Sequence, residues 1–317
     1  YCISYYAIRV WGFPLTLFTF AVFGIFRGLQ NTFYPMVIAM LGAGLNILLD
    51  FVLVYGIDGW VPALYLEGAA WASLISQAIM AIIALVLLLK KTEISMKLVF
   101  PLNKEMKRVV FMSLNLFVRT LALNAALMLA VREATTLGDQ FIGAHTIAIN
   151  LWLFSAFFID GFAAAGNSMG GRLLGAQDYN GLWELAKKIM KYGTIVSLGL
   201  MAFGFIFYRP IGRIFSNETV VLETFYNIFY IVIIGLPMNT LAFVFDGLFK
   251  GMGEMKYLRN VLLAVTFLGF IPCLYLGIYL GWGLYAIWIA FVVWMMIRGF
   301  SLVWKFRIKF QPLVQNP

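Results

Sequence analysis

Long apolar runs with almost no charge inside them recur along this chain, and each approaches or exceeds the roughly 20 residues a helix needs to cross a hydrocarbon core of about 30 Å. Nine are bounded by charge or by Gly and Pro: Trp11 to Phe26, Met36 to Tyr55, Gly68 to Leu89, Val109 to Val131, Phe141 to Ala165, Tyr192 to Tyr208, Phe225 to Phe249, Val261 to Leu280 and Leu284 to Trp304. They are far longer than the roughly 9 to 11 alternating residues of a barrel strand. The expected fold class is therefore all-α, a polytopic membrane protein with nine transmembrane helices. A water-soluble domain is excluded, because 63% hydrophobic and 12% charged residues leave too little polar surface to cover the apolar material.

The chain also repeats itself. Gly12, Pro14, Gly24, Arg27 and Gly28 recur as Gly235, Pro237, Gly247, Lys250 and Gly251, at a constant offset of 223 (for example 247 − 24). A segment that opens on Gly-x-Pro and ends in a basic-Gly turn is used twice in the same direction, as the first span and the seventh. The repeat unit then holds six helices, and parallel repeats about an axis along the membrane normal are a known transporter plan. Gly68-Ala-Ala-Trp-Ala in the third span is echoed by Gly283-Leu-Tyr-Ala-Ile-Trp in the ninth. Three helices are expected before Tyr1, for a whole of twelve. The expected division is residues 1–91 as the second half of an N-terminal lobe, 92–108 as a cytoplasmic connection and 109–310 as a C-terminal lobe. The start at Tyr1, without Met or a signal-peptide pattern, is in keeping with a fragment. The Trp- and Pro-bearing loop from Gly56 to Glu67 reads as a small extracellular cap.

Net charge is +9, but the cations fall in alternate connections rather than in a nucleic-acid-binding stripe. One set holds Arg27, then Lys90, Lys91, Lys97, Lys104, Lys107 and Arg108, then Arg172, Lys187, Lys188 and Lys191, then Lys250, Lys256 and Arg259, then Lys305, Arg307 and Lys309. The other holds Arg9, Arg132, Arg209 and Arg213. The positive-inside rule assigns the first set and the C-terminus to the cytoplasm. Cys2 and Cys273 imply no disulfide framework, and His145, the single histidine, makes no His-based metal site alone. No nucleotide-binding motif or nucleophile-base constellation stands out, so neither an ATP-driven pump nor an enzyme is expected.

A charge near the bilayer centre costs at least about 2.5 to 3.5 kcal/mol on insertion scales, so Asp50, Arg119, Asp160 and Asp246 each need a reason. Asn46 and Asp50 share one face of the second span, one turn apart, and Ser73 enters the third at the depth of Asp50. This trio either carries a proton, or binds a hard cation such as sodium through oxygen, or fixes helix packing beside Gly42 and Gly44. Arg119 and Asp160 are expected to pair across consecutive helices, as a register device or a substrate contact. Asp246 is expected to accept backbone hydrogen bonds near the cytoplasmic end, and Arg298 to snorkel to the inner surface. Asn115, Asn124, Asn150 and Asn239 add neutral points, each more often a helix-to-helix bond than a ligand. Met and Phe side chains that line a cavity would suit varied amphipathic ligands.

Arg27-Gly28-Leu-Gln-Asn31-Thr32 with Pro35, Asn46-Ile-Leu-Leu-Asp50, Gly68-Ala-Ala-Trp-Ala-Ser73, Gly143-Ala-His145 and Gly171-Arg-Leu-Leu-Gly175-Ala-Gln-Asp178 resemble, in order and spacing, the multidrug and toxic compound extrusion (MATE) family. The resemblance covers essentially the whole chain, from the family's fourth helix to its twelfth. It implies a secondary antiporter that exports organic, often cationic or amphipathic compounds in exchange for protons or sodium ions, by alternating access. Arg119, Asp160-Gly161 and Asp246-Gly247 look like the DinF-like branch, in which Asn46, Asp50 and Ser73 would serve an N-lobe site together with an acid on the family's first helix. Acids on the family's seventh and tenth helices mark the NorM-like branch. Here Asn239 takes the tenth-helix position and Arg119 is the charge inside the seventh, which lowers the case for a second-lobe sodium site. Asn31 stands where the family often has Asp, a change that bears on a turn.

The expectation is thus an ion-coupled exporter in the inner membrane. It would be a monomer without cofactor or nucleic-acid partner, coupled at Asn46, Asp50 and Ser73, with Arg119, Asn124, Asn150, Asp160, Asn239 and Asp246 as second-lobe cavity candidates. A flippase for a lipid-linked precursor is the rival within transport, and a channel or passive scaffold the rival outside it.

Overall fold

The computed structural model describes residues 2–57, 60–93 and 105–315, and these form helices throughout, with no strand among them. Two compact units result, Tyr1–Pro101 and Leu102–Pro317. The basic connection around Lys97 and Lys104, and Asp58 and Gly59 of the expected cap, lie outside the described residues. What is described of that cap is a short antiparallel bridge between Ile57 and Val61.

The first unit contains α1 (Cys2–Arg9), α2 (Gly12–Gly28), α3 (Phe33–Tyr55) and α4 (Tyr65–Lys91). The first apolar span is longer than its sequence suggests, since α1 and α2 together make a candidate span of 26 residues, Ile3–Gly28. Arg9 therefore sits within a span and not in an outer connection. Packing of α3 on α4 is set by small residues: a Cβ on Gly68 would collide with the Leu53 carbonyl, and one on Gly42 with the Met80 side chain.

The second unit contains α5 (Glu105–Leu137), α6 (Asp139–Gly175), α7 (Tyr179–Phe215), α8 (Thr219–Ile234), α9 (Leu236–Gly251), α10 (Met255–Val265), α11 (Ile271–Tyr279) and α12 (Leu284–Gln315). The seventh expected span is a bent pair: α8 and α9 meet at Gly235 with a bend of 48°. Pro237 has no N–H to return to the preceding turn, so the helix breaks where Gly235-Leu-Pro237 begins. Between α10 and α11, Thr266–Phe270 forms a π-helical turn just before Pro272, and the Trp294 indole nitrogen donates to Thr266 Oγ1 there at 3.1 Å. Such turns absorb the register change a missing N–H forces. With α8 and α9 taken as one span, the described helices give up to nine of membrane-crossing length and apolarity.

α12 is the hub of the second unit, packing against α7, α8, α9, α10 and α11. Its Trp288, Phe291 and Trp294 join Trp152, Phe225 and Phe270 in one buried aromatic core. On α5 the residues Asn115, Arg119, Ala122, Ala126, Ala130 and Ala134 form one buried stripe, so Arg119 is drawn inward with the alanines that let neighbouring helices approach.

The duplication persists in hydrogen bonds. α2 ends with Asn31 N–H donating to Phe26 O and Gln30 N–H to Arg27 O; α9 ends with Glu254 N–H donating to Phe249 O and Gly253 N–H to Lys250 O. Both are Schellman closures, with the left-handed position held by Gln30 (φ 60°) in one and Gly253 (φ 75°) in the other. A third closure ends α6, where Gln177 has φ 59° and Asp178 then caps α7 through Gly181 N–H. Asn31 does the same work, accepting from Phe33 N–H at 3.1 Å.

One difference between the copies is local. Cβ atoms on Gly247 and Gly251 would strike the Ala163 and Asn167 backbones of α6, so α6 and α9 run side by side in backbone contact. Their counterparts Gly24 and Gly28 have no such neighbour within 4 Å.

Candidate functional site

Asp50 is half-buried on α3, as are Asn46 on α3 and Ser73 on α4. The antiparallel register that sets Gly42 against Met80 and Leu53 against Gly68 brings Ser73 to the level of Asp50 and Asn46 to that of Ser76 and Gln77. The three expected residues thus share a seam, although no side-chain hydrogen bond joins them among the described residues. Asn46 Nδ2 is buried without a hydrogen-bond partner, and so are Gln77 Oε1 and Arg9 Nη1. Buried polar atoms are seldom left so, and the second unit has three of its own in Arg119 Nε, His145 Nδ1 and Trp288 Nε1.

In the second unit the ionic centre is Asp246, and here the structure corrects the expectation. Arg119 pairs with Asp246, not Asp160: its Nη2 lies 2.7 Å from Asp246 Oδ1. Arg298 Nη2 reaches the same oxygen at 2.7 Å, and Lys250 Nζ reaches Oδ2 at 2.8 Å. Asp246 and Arg298 are 3% and 2% exposed, so Asp246 is no backbone acceptor at a turn and Arg298 does not snorkel. The Arg298 guanidinium also lies 5.7 Å from the centre of the Phe243 ring, which its positive charge favours. The cluster ties α5, α9 and α12 together.

The physical reason lies in face and not in depth. α6 and α9 run parallel with Ala163 beside Gly247, so Asp160 and Asp246 stand at nearly the same level. Asp160 points to an exposed face of α6, whereas Asp246 points into the junction with α12.

The remaining candidates do not form one site. Asn124 and Asn150 are exposed, and each returns its Nδ2 to its own helix, to Thr120 O and Thr146 O. Gly138, at φ 120°, turns α5 into α6, and this hairpin sets the two asparagines at matching levels. Asn150 lines an apolar groove of about 620 Å³ with Phe154, Phe157, Phe203, Phe229 and Ile233. Asn239 is buried at the α8–α9 break, where it lines a small cavity of about 10 Å³ with Gly235, Trp152 and Trp288. Asn115 accepts from Arg259 Nη1 at 2.7 Å and so ties α5 to α10. Among the described residues no group of three or more His, Cys, Asp or Glu is placed to hold a metal.

Sequence reasoning missed Arg9 and Gln77. Arg9 was hidden because the helix break at Gly12 mimics the end of a span, and Gln77 because one amide in an apolar run carries no signal. His145 is buried against Trp288, ring centres 5.7 Å apart, with Nδ1 unpartnered.

Membrane-length helices, a duplicated broken helix and a charge cluster sealed among them define a polytopic α-helical membrane protein built from a repeated bundle. The chain belongs to the MatE family, whose model matches residues 116–276. It is 30% identical over 276 residues to Protein DETOXIFICATION 43 of Arabidopsis thaliana, covering 86% of this chain and 51% of that relative. It is 26% identical over 308 residues to DNA damage-inducible protein F of Escherichia coli, covering 94% and 64%. A crystal structure described as the outward-facing conformation of a multidrug resistance MATE family transporter of the MOP superfamily shares the fold, with a TM-score of 0.89 at 21% identity over 99% of this chain and 70% of that one. The chain spans about half the length of the Arabidopsis relative.

Proposed function

We propose that the chain forms part of a secondary antiporter that exports organic, often cationic or amphipathic compounds in exchange for protons or sodium ions. Asp50 would be the coupling residue, with Asn46 and Ser73 completing its surroundings. The observation that carries this reading is Asp50 itself, a half-buried carboxylate within a membrane span that makes no ion pair among the described residues, one turn from the unpartnered Asn46 amide. A carboxylate kept at such cost is expected to change occupancy during function. Loading it with a proton or a cation removes or neutralises its charge, which biases the helix arrangement around α3 and α4.

The same reading places the protein in a cell inner membrane with its C-terminus on the cytoplasmic side, in line with the distribution of Lys and Arg. Charge placement weighs against the lipid-precursor flippase. Arg119 and Arg298 are sealed against Asp246 and are not free to meet an anionic headgroup. The test is efflux of a lipophilic cation from proteoliposomes under an imposed proton or sodium gradient. Stimulation by one of them is expected; efflux indifferent to both would end the antiporter reading.

A further inference from the structure

Two of the unpartnered polar ends of the first unit lie together. Gln77 Oε1 packs on Gly12, and Arg9 Nη1 lies 3.8 Å from the place a Cβ would take on that glycine, so both reach the break between α1 and α2. Asn46, whose Nδ2 is the third unpartnered atom, stands at the level of Gln77 by the α3–α4 register. A guanidinium nitrogen buried inside an apolar span without an anion is the most unfavourable of the three. Among the described residues of α1 to α4 the other charged groups stand at helix ends: Arg27, Lys90 and Lys91 at C-termini, and Glu67 exposed in the first turn of α4. The remaining titratable groups of these four helices are Cys2, Tyr5 and Tyr6 on α1, Tyr34 and Tyr55 on α3, and Tyr65 on α4. That leaves Asp50, one turn outward from Asn46, as the acid nearest in level to Arg9.

We propose that Arg9 is the internal cation of the first-lobe coupling site, receiving the Asp50 carboxylate whenever the coupling ion has left, with Asn46 and Gln77 as hydrogen-bonding supports. The inference rests on the reading of Asp50 as the coupling residue. The O–H bond of the Asp50 acid breaks and its proton leaves to water, or a sodium ion leaves an already ionised carboxylate; the carboxylate then pairs with the guanidinium. Rebinding of the ion displaces Arg9, so the site alternates between a loaded form with one free cation and an empty form that is neutral. Arg9 acts through Asp50 and is a positioning residue. Its place at the helix break gives that exchange a way to move α1 against α2.

The test is an infrared titration of the protonated carboxyl band of the full chain in lipid nanodiscs, with the Asp50→Asn protein subtracted to isolate Asp50. Arg9→Gln is expected to raise the Asp50 midpoint by about one unit or more, roughly a tenfold gain in proton affinity. Arg9→Lys should restore most of the difference, and Lys90→Gln should leave the midpoint in place. A structural arginine would lower thermal stability without moving the midpoint, and an unmoved midpoint in a folded Arg9→Gln protein overturns the proposal. The unsubstituted chain gives a second reading: side-chain nitrogen resonances of Arg9 should follow the Asp50 midpoint and lose that response in Asp50→Asn. Resonances that ignore pH throughout also overturn it. Should Asp50→Asn keep full transport while Arg9 still sets the midpoint, the pairing stands and the coupling role of Asp50 falls.

Discussion

Asp246 shows how one carboxylate organises three cations. Arg119, Arg298 and Lys250 all lie within 2.8 Å of its oxygens, so removing its charge leaves two sealed guanidinium groups without an anion. Breaking a buried pair from one side costs about 3 to 5 kcal/mol, whereas replacing a whole ionic group by well-packed apolar residues is often neutral. Asp246→Asn is therefore expected to lower stability by about that amount in a detergent-solubilised thermal melt. The combined Asp246→Leu, Arg119→Met, Arg298→Met protein should recover much of it. A melt unchanged by Asp246→Asn would mean that the cluster contributes nothing. Sequence spacing marked this acid as one that needs a partner, because a charge inside an apolar span is costly. It could not give the face, which depends on which neighbour fills each side of a helix, and so Arg119 was matched to the wrong aspartate.

Among the elements, the broken helices carry the clearest contrast. The Gly-x-Pro signal was legible, and both copies are interrupted there, but the second bends by 48° between α8 and α9 while α1 and α2 continue as one span. The π-helical turn before Pro272 and the half-burial of Arg9 just before the first break were not legible, because a hydropathy window averages over single residues. Gly247 and its counterpart Gly24 make a matched pair for measurement. Gly247→Leu should disrupt the backbone contact of α9 with α6 and sharply reduce folded yield, while Gly24→Leu, with open space beside it, should leave the 317-residue chain nearly as stable. Equal losses from both would contradict the packing described for α9.

For the whole molecule, the head-to-tail repeat is its most telling property. The same closing hydrogen bonds recur at Phe26 and Phe249, yet the chemistry differs between the units. Phe23 stands where the second copy has Asp246, and Arg9 where it has Val232. One unit thus carries a sealed, overbalanced ion cluster, while the other carries Asp50, a half-buried acid that makes no ion pair among the described residues. The proposed ion-responsive role of the first unit therefore rests on Asp50. The most direct test is to follow proton or sodium flux and efflux of a lipophilic cation together in proteoliposomes, comparing the unsubstituted chain with Asp50→Asn. Linked fluxes are expected in the former and loss of the linkage in a folded Asp50→Asn protein; linked fluxes of full size in that variant would contradict the coupling role of Asp50.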